Sequence, residues 1–322
     1  NTGIKLYMYQ TGVIKTKLKF IKMNQGEEPY EIPVPWFLIK HPEGDVIIDG
    51  GMPIEAALDK HKHWGHVVEA YDPVMKASEW CKDMVKSVNT NPEDVKYVIQ
   101  THLHLDHSGA IGHFPNATHI TQKVEYDYAY NPDWFSQPAY IKADFDKPNI
   151  RWKFLQGRKT DFYDVYGDGV IKLIFTPGHT PGHQSVLVNL PKTGYMLFTG
   201  DACYTGDHWC DKCLPGLVAS SSDAADSVKK LRQVAKEYNA KVIGADPLSD
   251  IAVLKIDGKS LPFSKLGNSD SLIVGEWVVA LGNPLGLFDV SNQPTATAGI
   301  ISGYDLDFGL KKSGHVYQGR VK

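Results

Sequence analysis

The sequence lacks the features that mark membrane proteins, nucleic-acid-binding proteins and disulfide-stapled domains. No stretch reaches the roughly 18 uninterrupted apolar residues that a membrane span needs. The formal net charge is only -3, and no Lys/Arg block forms a basic tail. The chain therefore has no general electrostatic attraction for nucleic acid or for an anionic membrane. Four cysteines are too few for a disulfide framework in 322 residues. We therefore expect no nucleic-acid or membrane partner and a small-molecule substrate.

Apolar residues are abundant enough for a large core. They make up 42% of the 322 residues, which predicts one large domain or one domain with an appendage. The chain starts at Asn1 and not at Met, as a processed or trimmed chain would. We expect a soluble protein, and its localisation stays open between the cytoplasm and export followed by signal removal.

Short apolar strands alternate with polar loops along most of the chain. A hairpin is predicted over 36–51, and helical spacing of apolar residues predicts helices over 74–88 and 223–239. Three further predicted strands lead directly into polar loops with potential ligands: 97–100, 169–175 and 195–199. Strands and helices in alternation, with polar residues on strand-end loops, predict helix-covered sheets with a site along one edge.

The pattern changes near residue 244. Residues 251–256, 272–281 and 295–302 have the composition of β-strands separated by turns, without a convincing helix among them. We therefore predict two modules, one over 1–244 and an all-β one over 245–322.

Four potential metal ligands lie within six positions directly after a predicted buried strand: His102, His104, Asp106 and His107. Imidazole and carboxylate are the side chains that bind Zn²⁺, Mn²⁺ or Fe near neutral pH. The alternative is a solvated loop that happens to be rich in histidine. The close spacing, with His179 and Asp201 after two later strands, favours a metal site.

The His102–His107 motif, with the segments 176–185 and 200–205, resembles the metallo-β-lactamase superfamily and, within it, the bacterial N-acyl-homoserine lactonases. The resemblance covers roughly residues 4 to 244. The histidine motif alone indicates only the superfamily, which also includes glyoxalase II, phosphodiesterases and β-lactamases. Tyr204, three residues after Asp201, and the doubled Pro-Gly-His favour the lactonases. The resemblance implies an αββα sandwich.

The resemblance also implies a centre of two divalent ions, zinc in the first place, with manganese, iron or cobalt as alternatives. It assigns His102, His104 and His179 to one ion, and Asp106 and His107 to the other, with Asp201 as the bridge. A metal-bound hydroxide would then attack the lactone carbonyl.

Two residues would assist that reaction according to the resemblance. The Tyr204 hydroxyl would stabilise the developing oxyanion, and Asp106 would act as the acid/base. Without the resemblance, Tyr204 would be interpreted as an ordinary packed aromatic residue. His183 is expected to be structural or to contact a ligand, and Asp49 to orient a ligand or to cap a strand end.

One ligand position departs from the family pattern. Family members supply a last histidine from the strand after the long helix, within Gly-His-Asp, whereas this chain has Ala245 between Gly244 and Asp246. A methyl group cannot coordinate a metal. We expect weaker binding of the second ion unless Asp246 or a later histidine replaces the ligand.

A second resemblance begins where the first one ends. Residues from 242 onward, including 275–286 and 295–302, resemble the protease domain of bacterial high-temperature-requirement serine proteases, part of a chymotrypsin-like barrel. Asp250 matches the triad aspartate, but neither the triad histidine segment nor a Gly-Asn-Ser-Gly-Gly motif occurs. Nucleophilic catalysis needs serine and base together, so this fragment is not expected to be a protease. We interpret the chain as a chimera.

The function predicted first is hydrolysis of the lactone ring of N-acyl-homoserine lactones, which would quench quorum sensing. One alternative is hydrolysis of another lactone, ester, thioester or phosphoester on the same fold. The other is a weakly active or inactive metal-binding protein, because Ala245 replaces the expected ligand. A homodimer remains open.

Overall fold

The computed structural model describes residues 3–243, 273–282 and 295–301. The chain divides into two compact units, Asn1–Pro247 and Leu248–Lys322. The predicted boundary after residue 244 falls outside the described residues and stays a prediction.

The larger sheet of the first unit collects the strands of the N-terminal half. Its strands are β1 (Lys5–Lys17), β2 (Pro29–Lys40), β3 (Asp45–Ile48), β4 (Asp72–Val74), β5 (Val95–Ile99), β6 (Thr118–Gln122) and β7 (Arg151–Leu155). They lie in the order β4-β1-β2-β3-β5-β6-β7. β2 and β3 form the predicted antiparallel hairpin, with Phe37 opposite Ile48. From β3 to β7 the neighbouring strands run parallel.

The smaller sheet collects the later strands. They are β8 (Phe162–Asp164), β9 (Ile171–Phe175), β10 (Gln184–Leu190), β11 (Gly194–Phe198) and β12 (Lys241–Ile243), in the order β12-β11-β10-β9-β8. β12 is parallel to β11, and the remaining pairs are antiparallel. Parallel pairing of β12 needs the long helix between β11 and β12 as a crossover.

The helices cover these two sheets. The α-helices are α1 (Leu18–Ile21), α2 (Ile54–Trp64), α3 (Cys81–Met84), α4 (Lys123–Tyr130), α5 (Lys142–Phe145), α6 (Gly206–Trp209) and α7 (Ser221–Glu237). Short 3₁₀ helices span Gly65–Glu69, Ala77–Glu79, Val85–Val88, Pro92–Asp94, Ser108–Ala110, Gln137–Ala139, Gly157–Thr160 and Gly200–Ala202. Among the described residues, no helix combines the length and the hydrophobicity that crossing a bilayer requires.

Both faces of the larger sheet are covered along the middle of β2, which is why this strand is apolar without interruption from Ile32 to Ile39. Successive side chains of a strand point to opposite faces. Phe37 lies in the core between the sheets, where its ring centroid is 4.4 Å from that of Phe198. Its neighbour Trp36 packs on the outer face against Cys81 and Val85.

The outer face of the smaller sheet is covered by α7. The buried side of this amphipathic helix includes Leu231 and Val234, which pack on Ile174 and Leu197. The Ser220 hydroxyl caps the helix by accepting the Asp223 N–H at 3.3 Å. The layers therefore follow the order helix, sheet, sheet, helix, and the predicted αββα sandwich is confirmed.

The prediction of one helix over 74–88 was wrong. Val74 belongs to β4 and pairs with Val13 at the sheet edge, so the first residue of the range is extended. Lys76 and Trp80 are also extended, with ψ of 145° and 135°, and they separate the short helices of this segment. Pairing with the sheet edge overrides the helical spacing of the apolar residues.

The second unit contains an antiparallel pair among its described residues, β13 (Trp277–Gly282) and β14 (Thr295–Ile300), with Trp277 opposite Ile300. This agrees with the strands predicted over 272–281 and 295–302. The strand predicted over 251–256 lies outside the described residues, as does Asp250.

Candidate metal centre

Three loops at the ends of strands converge between the two sheets. The loop with His102, His104 and His107 follows β5, the loop with His179 follows β9, and the short 3₁₀ helix with Asp201 follows β11. Strands from both sheets thus deliver the polar residues to one edge of the sandwich, as expected when ligands follow strand ends.

The structure brings the predicted ligands together in two overlapping groups. The first consists of His102, His104 and His179, and the second of His102, His107 and Asp201; within each, the potential ligand atoms lie within 4.8 Å of one another. His179 Nε2 is 3.0 Å from His104 Nδ1. The first group is buried.

Asp201, a member of the second group, also lies beside His179 of the first, and its two oxygens face different histidines. Asp201 Oδ2 is 3.3 Å from His179 Nε2 and 3.7 Å from His102 Nε2. Asp201 Oδ1 is 3.3 Å from His107 Nε2. Asp106 is on the His107 side, with its Oδ2 3.6 Å from His107 Nε2. The residues that the resemblance assigned to two ions thus lie close together, and their assignment to two separate ions stays a prediction.

Hydrogen bonds on the outer side of the rings select the tautomers of His102 and His107. The single proton of the Thr101 hydroxyl goes to Asp49 Oδ2 at 2.9 Å, so Thr101 Oγ1 accepts from His102 Nδ1 at 3.0 Å. His107 Nδ1 donates to Asp49 Oδ2 at 2.9 Å. His102 therefore turns an unprotonated Nε2 toward Asp201, and on His107 the proton of Nε2 is the one that a metal ion would replace. Carboxylate–histidine pairs of this kind orient metal ligands.

The ring of His179 is fixed in the same way. Its Nδ1 donates to the Leu217 carbonyl at 2.9 Å, which leaves the lone pair of Nε2 toward His104. His102 Nε2 is buried and has no hydrogen-bond partner among the described residues. Unpaired imidazole lone pairs beside a carboxylate suit a divalent cation, so the residues present fit a metal centre.

The electrostatics of the groups agree with this fit. Burial holds the pKa of His102 and His104 well below the usual range and also lowers the pKa of His179, so these rings are neutral near pH 7. Burial would lower the pKa of His107 as well, but the carboxylates around it raise that pKa well above its ordinary value. Burial, opposed by His107, raises the pKa of Asp106 to about 6. Negative charge is thus in excess around His107, and a cation would offset it.

His183 holds the backbone of Asp201. Its Nδ1 donates to the Thr176 carbonyl at 3.1 Å, and its Nε2 accepts the Asp201 N–H at 3.0 Å. This hydrogen bond requires glycine at position 200. Gly200 has a φ of +53°, and an added Cβ would lie only 2.8 Å from His183 Nε2. Both ring nitrogens of His183 are therefore used in hydrogen bonds.

A small cavity of about 50 Å³ opens onto the centre. Asp106, Asp201 and Tyr204 line its polar side. The Tyr204 oxygen is 3.1 Å from His179 Nδ1, and the hydroxyl also bonds Asp201. Burial, followed by the charge of Asp201, raises the pKa of Tyr204 well above its ordinary value, so the phenol keeps its proton. Apolar side chains form the rest of the wall, among them Ile14, Phe20, Ile21, Ile32 and Leu217.

Comparison with known proteins places this centre in a family. The family model described as "Metallo-beta-lactamase superfamily" matches residues 29–244. The chain belongs to the metallo-beta-lactamase superfamily. A second family model, described as "Trypsin-like peptidase domain", matches residues 205–321 and supports the predicted protease-like fragment. That match starts at residue 205, whereas the resemblance to the proteases was predicted to start at residue 242.

Similar members of the superfamily include lactonases. N-acyl homoserine lactonase AttM of Rhizobium radiobacter is 56% identical over 248 residues, which cover 76% of this chain and 94% of that protein. An N-acyl homoserine lactonase of a Bacillus species is 33% identical and covers 71% of this chain and 88% of that protein. The predicted resemblance to this group is confirmed.

A solved structure has a fold similar to that of this chain. An N-acyl homoserine lactone hydrolase with N-hexanoyl-L-homoserine bound at its catalytic metal centre matches with a TM-score of 0.69 at 29% identity. The match covers 78% of this chain and 96% of that one.

Two residues near the centre were not found from the sequence. Tyr71 lines the cavity, where its pKa is raised by burial and then by the charges of Asp106 and Asp201, so its hydroxyl is a second phenol that keeps its proton. Glu125 is completely buried and accepts hydrogen bonds from residues 15 to 57 positions away. No local pattern indicates either residue, because their partners are distant in sequence.

Ala245 stands where the family pattern has a histidine ligand. Ala245 and Asp246 both lie outside the described residues. The sequence-based expectation of a weaker second ion therefore stays a prediction.

Proposed function

We propose that this chain is a metal-dependent hydrolase that opens the lactone ring of N-acyl homoserine lactones. One observation carries the proposal: two groups of potential ligands share His102 and lie around Asp201, in a chain 56% identical to an N-acyl homoserine lactonase. The cavity that ends at these ligands supports a small-molecule substrate.

We assign His102, His104 and His179 to one divalent ion and Asp106 and His107 to a second, with Asp201 shared. The mixture of imidazole and carboxylate suits zinc, and manganese, iron or cobalt are alternatives. When bound, the two ions would lower the pKa of a water and polarise a carbonyl oxygen. The hydrogen bonds that His102, His107 and His179 donate to Thr101, Asp49 and Leu217 hold the rings for this role.

Tyr204 and Asp106 are assigned to the reacting carbonyl and to proton transfer. The protonated Tyr204 hydroxyl faces the cavity and can donate a hydrogen bond to the oxygen that gains negative charge. Asp106 lines the same cavity and can carry a proton to the ring oxygen that leaves. The apolar wall around Ile14, Phe20 and Leu217 suits the acyl chain.

The second module adds no hydrolytic machinery of its own to this proposal. We assign the hydrolase to residues 1–244 and a protease-like fragment to residues 245–322, in which neither the segment of the triad histidine nor the Gly-Asn-Ser-Gly-Gly motif of the nucleophile occurs.

Metal analysis and substrate turnover test the proposal together. The wild type, Asp201→Asn and the exposed control Asp226→Asn would be analysed for bound metal and for hydrolysis of N-hexanoyl homoserine lactone, a thioester and a phosphodiester. Asp226 is 75% exposed on α7, so its change leaves the centre intact. We expect lactone turnover by the wild type and by Asp226→Asn, and loss of metal and turnover in Asp201→Asn. A metal-loaded wild type that hydrolyses only one of the other substrates would contradict the lactonase assignment.

A further inference from the structure

Glu125 is a buried carboxylate at the start of α4, without a cationic partner among the described residues. Its exposed fraction is 0%. Burying a charge is unfavourable unless hydrogen bonds compensate for the lost water. Hydrogen bonds to Glu125 must therefore compensate for the cost of burying its charge.

Four donors saturate the two oxygens of Glu125. Oε1 accepts the Leu103 N–H at 3.0 Å and the Tyr140 hydroxyl at 3.1 Å. Oε2 accepts the Thr180 hydroxyl at 2.6 Å and the Gly182 N–H at 3.1 Å. Two of these donors are backbone groups, and backbone N–H groups can only donate.

Three of these donors belong to the two loops that carry the first group of ligands. Leu103 stands between His102 and His104, and Thr180 follows His179 directly. The fourth donor, Tyr140, contacts a ligand through its ring, which lies edge-on to His104 with the ring centroids 4.6 Å apart. One carboxylate thus connects the loop after β5 to the loop after β9.

The packing around Gly182 keeps this connection short. A Cβ atom added at Gly182 would lie 2.4 Å from both the backbone nitrogen and the Cβ of Glu125. The loop backbone therefore rests directly on the first turn of α4, where a larger residue does not fit.

We propose that Glu125 is a positioning residue for the metal centre, whose carboxylate sets the separation of His104 and His179 by joining their loops. The proposal rests on the metal-binding role assigned above and is independent of which substrate is hydrolysed. Outer residues that orient ligands typically change metal affinity or activity about 10- to 100-fold when they are altered.

Glu125→Gln is the informative variant because it keeps the shape and removes one acceptor oxygen. Whichever way the amide turns, its NH₂ group faces either the Leu103 N–H or the Gly182 N–H, and two donors cannot pair. One loop must then move, and the distance between the two histidines changes with it.

The matched control is Asp127→Asn, the same chemical change on the same helix. Asp127 is 59% exposed and pairs with Lys123, away from the ligand loops. The chelator-stripped proteins would be titrated with Co²⁺ and Zn²⁺ against a competing chelator, and the visible spectrum of the Co²⁺ forms would be recorded. Thermal unfolding of the stripped forms would measure any purely structural effect.

We expect Glu125→Gln to bind its tighter ion about 10- to 100-fold more weakly, with a shifted Co²⁺ spectrum, and Asp127→Asn to match the wild type. Wild-type affinity and spectrum in Glu125→Gln, with or without a lower melting temperature, would overturn the proposal. If Glu125→Gln does not fold, Thr180→Val and Tyr140→Phe remove one donor each and should weaken the metal in the same direction; unchanged affinity in both would overturn it. A wild type that binds neither ion contradicts the proposed function itself, and the positioning role with it.

Discussion

Replacing Asp49 by Asn should damage the second ligand group by changing the tautomer of His107. Asp49 Oδ2 accepts the His107 Nδ1–H at 2.9 Å, so Nε2, which faces Asp201, is the nitrogen that would lose its proton and bind a metal ion. An Asn amide that turns its NH₂ to this position makes Nδ1 the acceptor and places the ring proton on Nε2. A protonated Nε2 cannot bind a metal.

The magnitude follows from the hydrogen bond that is lost. A hydrogen bond to a charged group contributes about 1.5–3 kcal/mol, and about 1.4 kcal/mol corresponds to tenfold in an equilibrium constant. Asp49→Asn should therefore weaken the ion at His107 about 10- to 100-fold. Backbone strain does not complicate the comparison: Asp49 has φ of 65°, and Asn tolerates this left-handed conformation as well as Asp does.

The assay is metal titration of the stripped protein, with Asp45→Asn as the control. Asp45 is a buried aspartate at the start of the same strand, β3, where it bonds Lys40 and Thr90. Asp45→Asn should lower stability without changing metal affinity. Equal affinity for both ions in Asp49→Asn and in the wild type would refute the tautomer argument.

Three further predictions concern turnover, the second ion and pH. Tyr204→Phe should lower kcat by about 10²-fold with little change in KM, because the hydroxyl acts on the developing oxyanion; an unchanged kcat for N-hexanoyl homoserine lactone would exclude that role. Ala245→His should raise affinity for the second ion in chelator competition, and an unchanged titration would show that another group already completes this site. The hydrogen bond from His63 Nε2 to Asp144 Oδ1 at 2.7 Å raises the pKa of His63 above its ordinary value of 6.5. The pair therefore stabilises the fold fully below pH 6.5, and this contribution is lost as pH rises through the raised pKa. The melting temperature of the wild type should exceed that of His63→Gln at about pH 5 by more than at about pH 8, and a constant difference would contradict this.

Local spacing was sufficient to predict the ligands because they are close in sequence or follow strands directly. His102, His104, Asp106 and His107 occupy one short loop, so any fold that ends a buried strand at Ile99 presents them together. The structure brings His179 and Asp201 to the same place. The metal assignments themselves await measurement.

Other features could not be predicted, since they depend on contacts between distant segments. The segment 74–88 has helical spacing, but pairing of Val74 with Val13 makes its start a sheet edge. Glu125 resembles any glutamate on a surface helix until the fold places Thr180 and Gly182 beside it. A side chain's environment depends on such long-range packing, which no short pattern encodes.

The sequence by itself thus determined the family, the strand–loop order and the set of potential ligands, because each is expressed in neighbouring residues. The tertiary structure alone decided which oxygen of Asp201 faces which histidine, which ring nitrogens donate to outer acceptors, and which donors Asp49 and Glu125 accept. These are properties of hydrogen bonds between segments tens of residues apart, such as the 58 positions between Asp49 and His107. The pairing of β3 with β5 brings Asp49 to His107, and the packing of the two sheets brings Glu125 to the loop after β9.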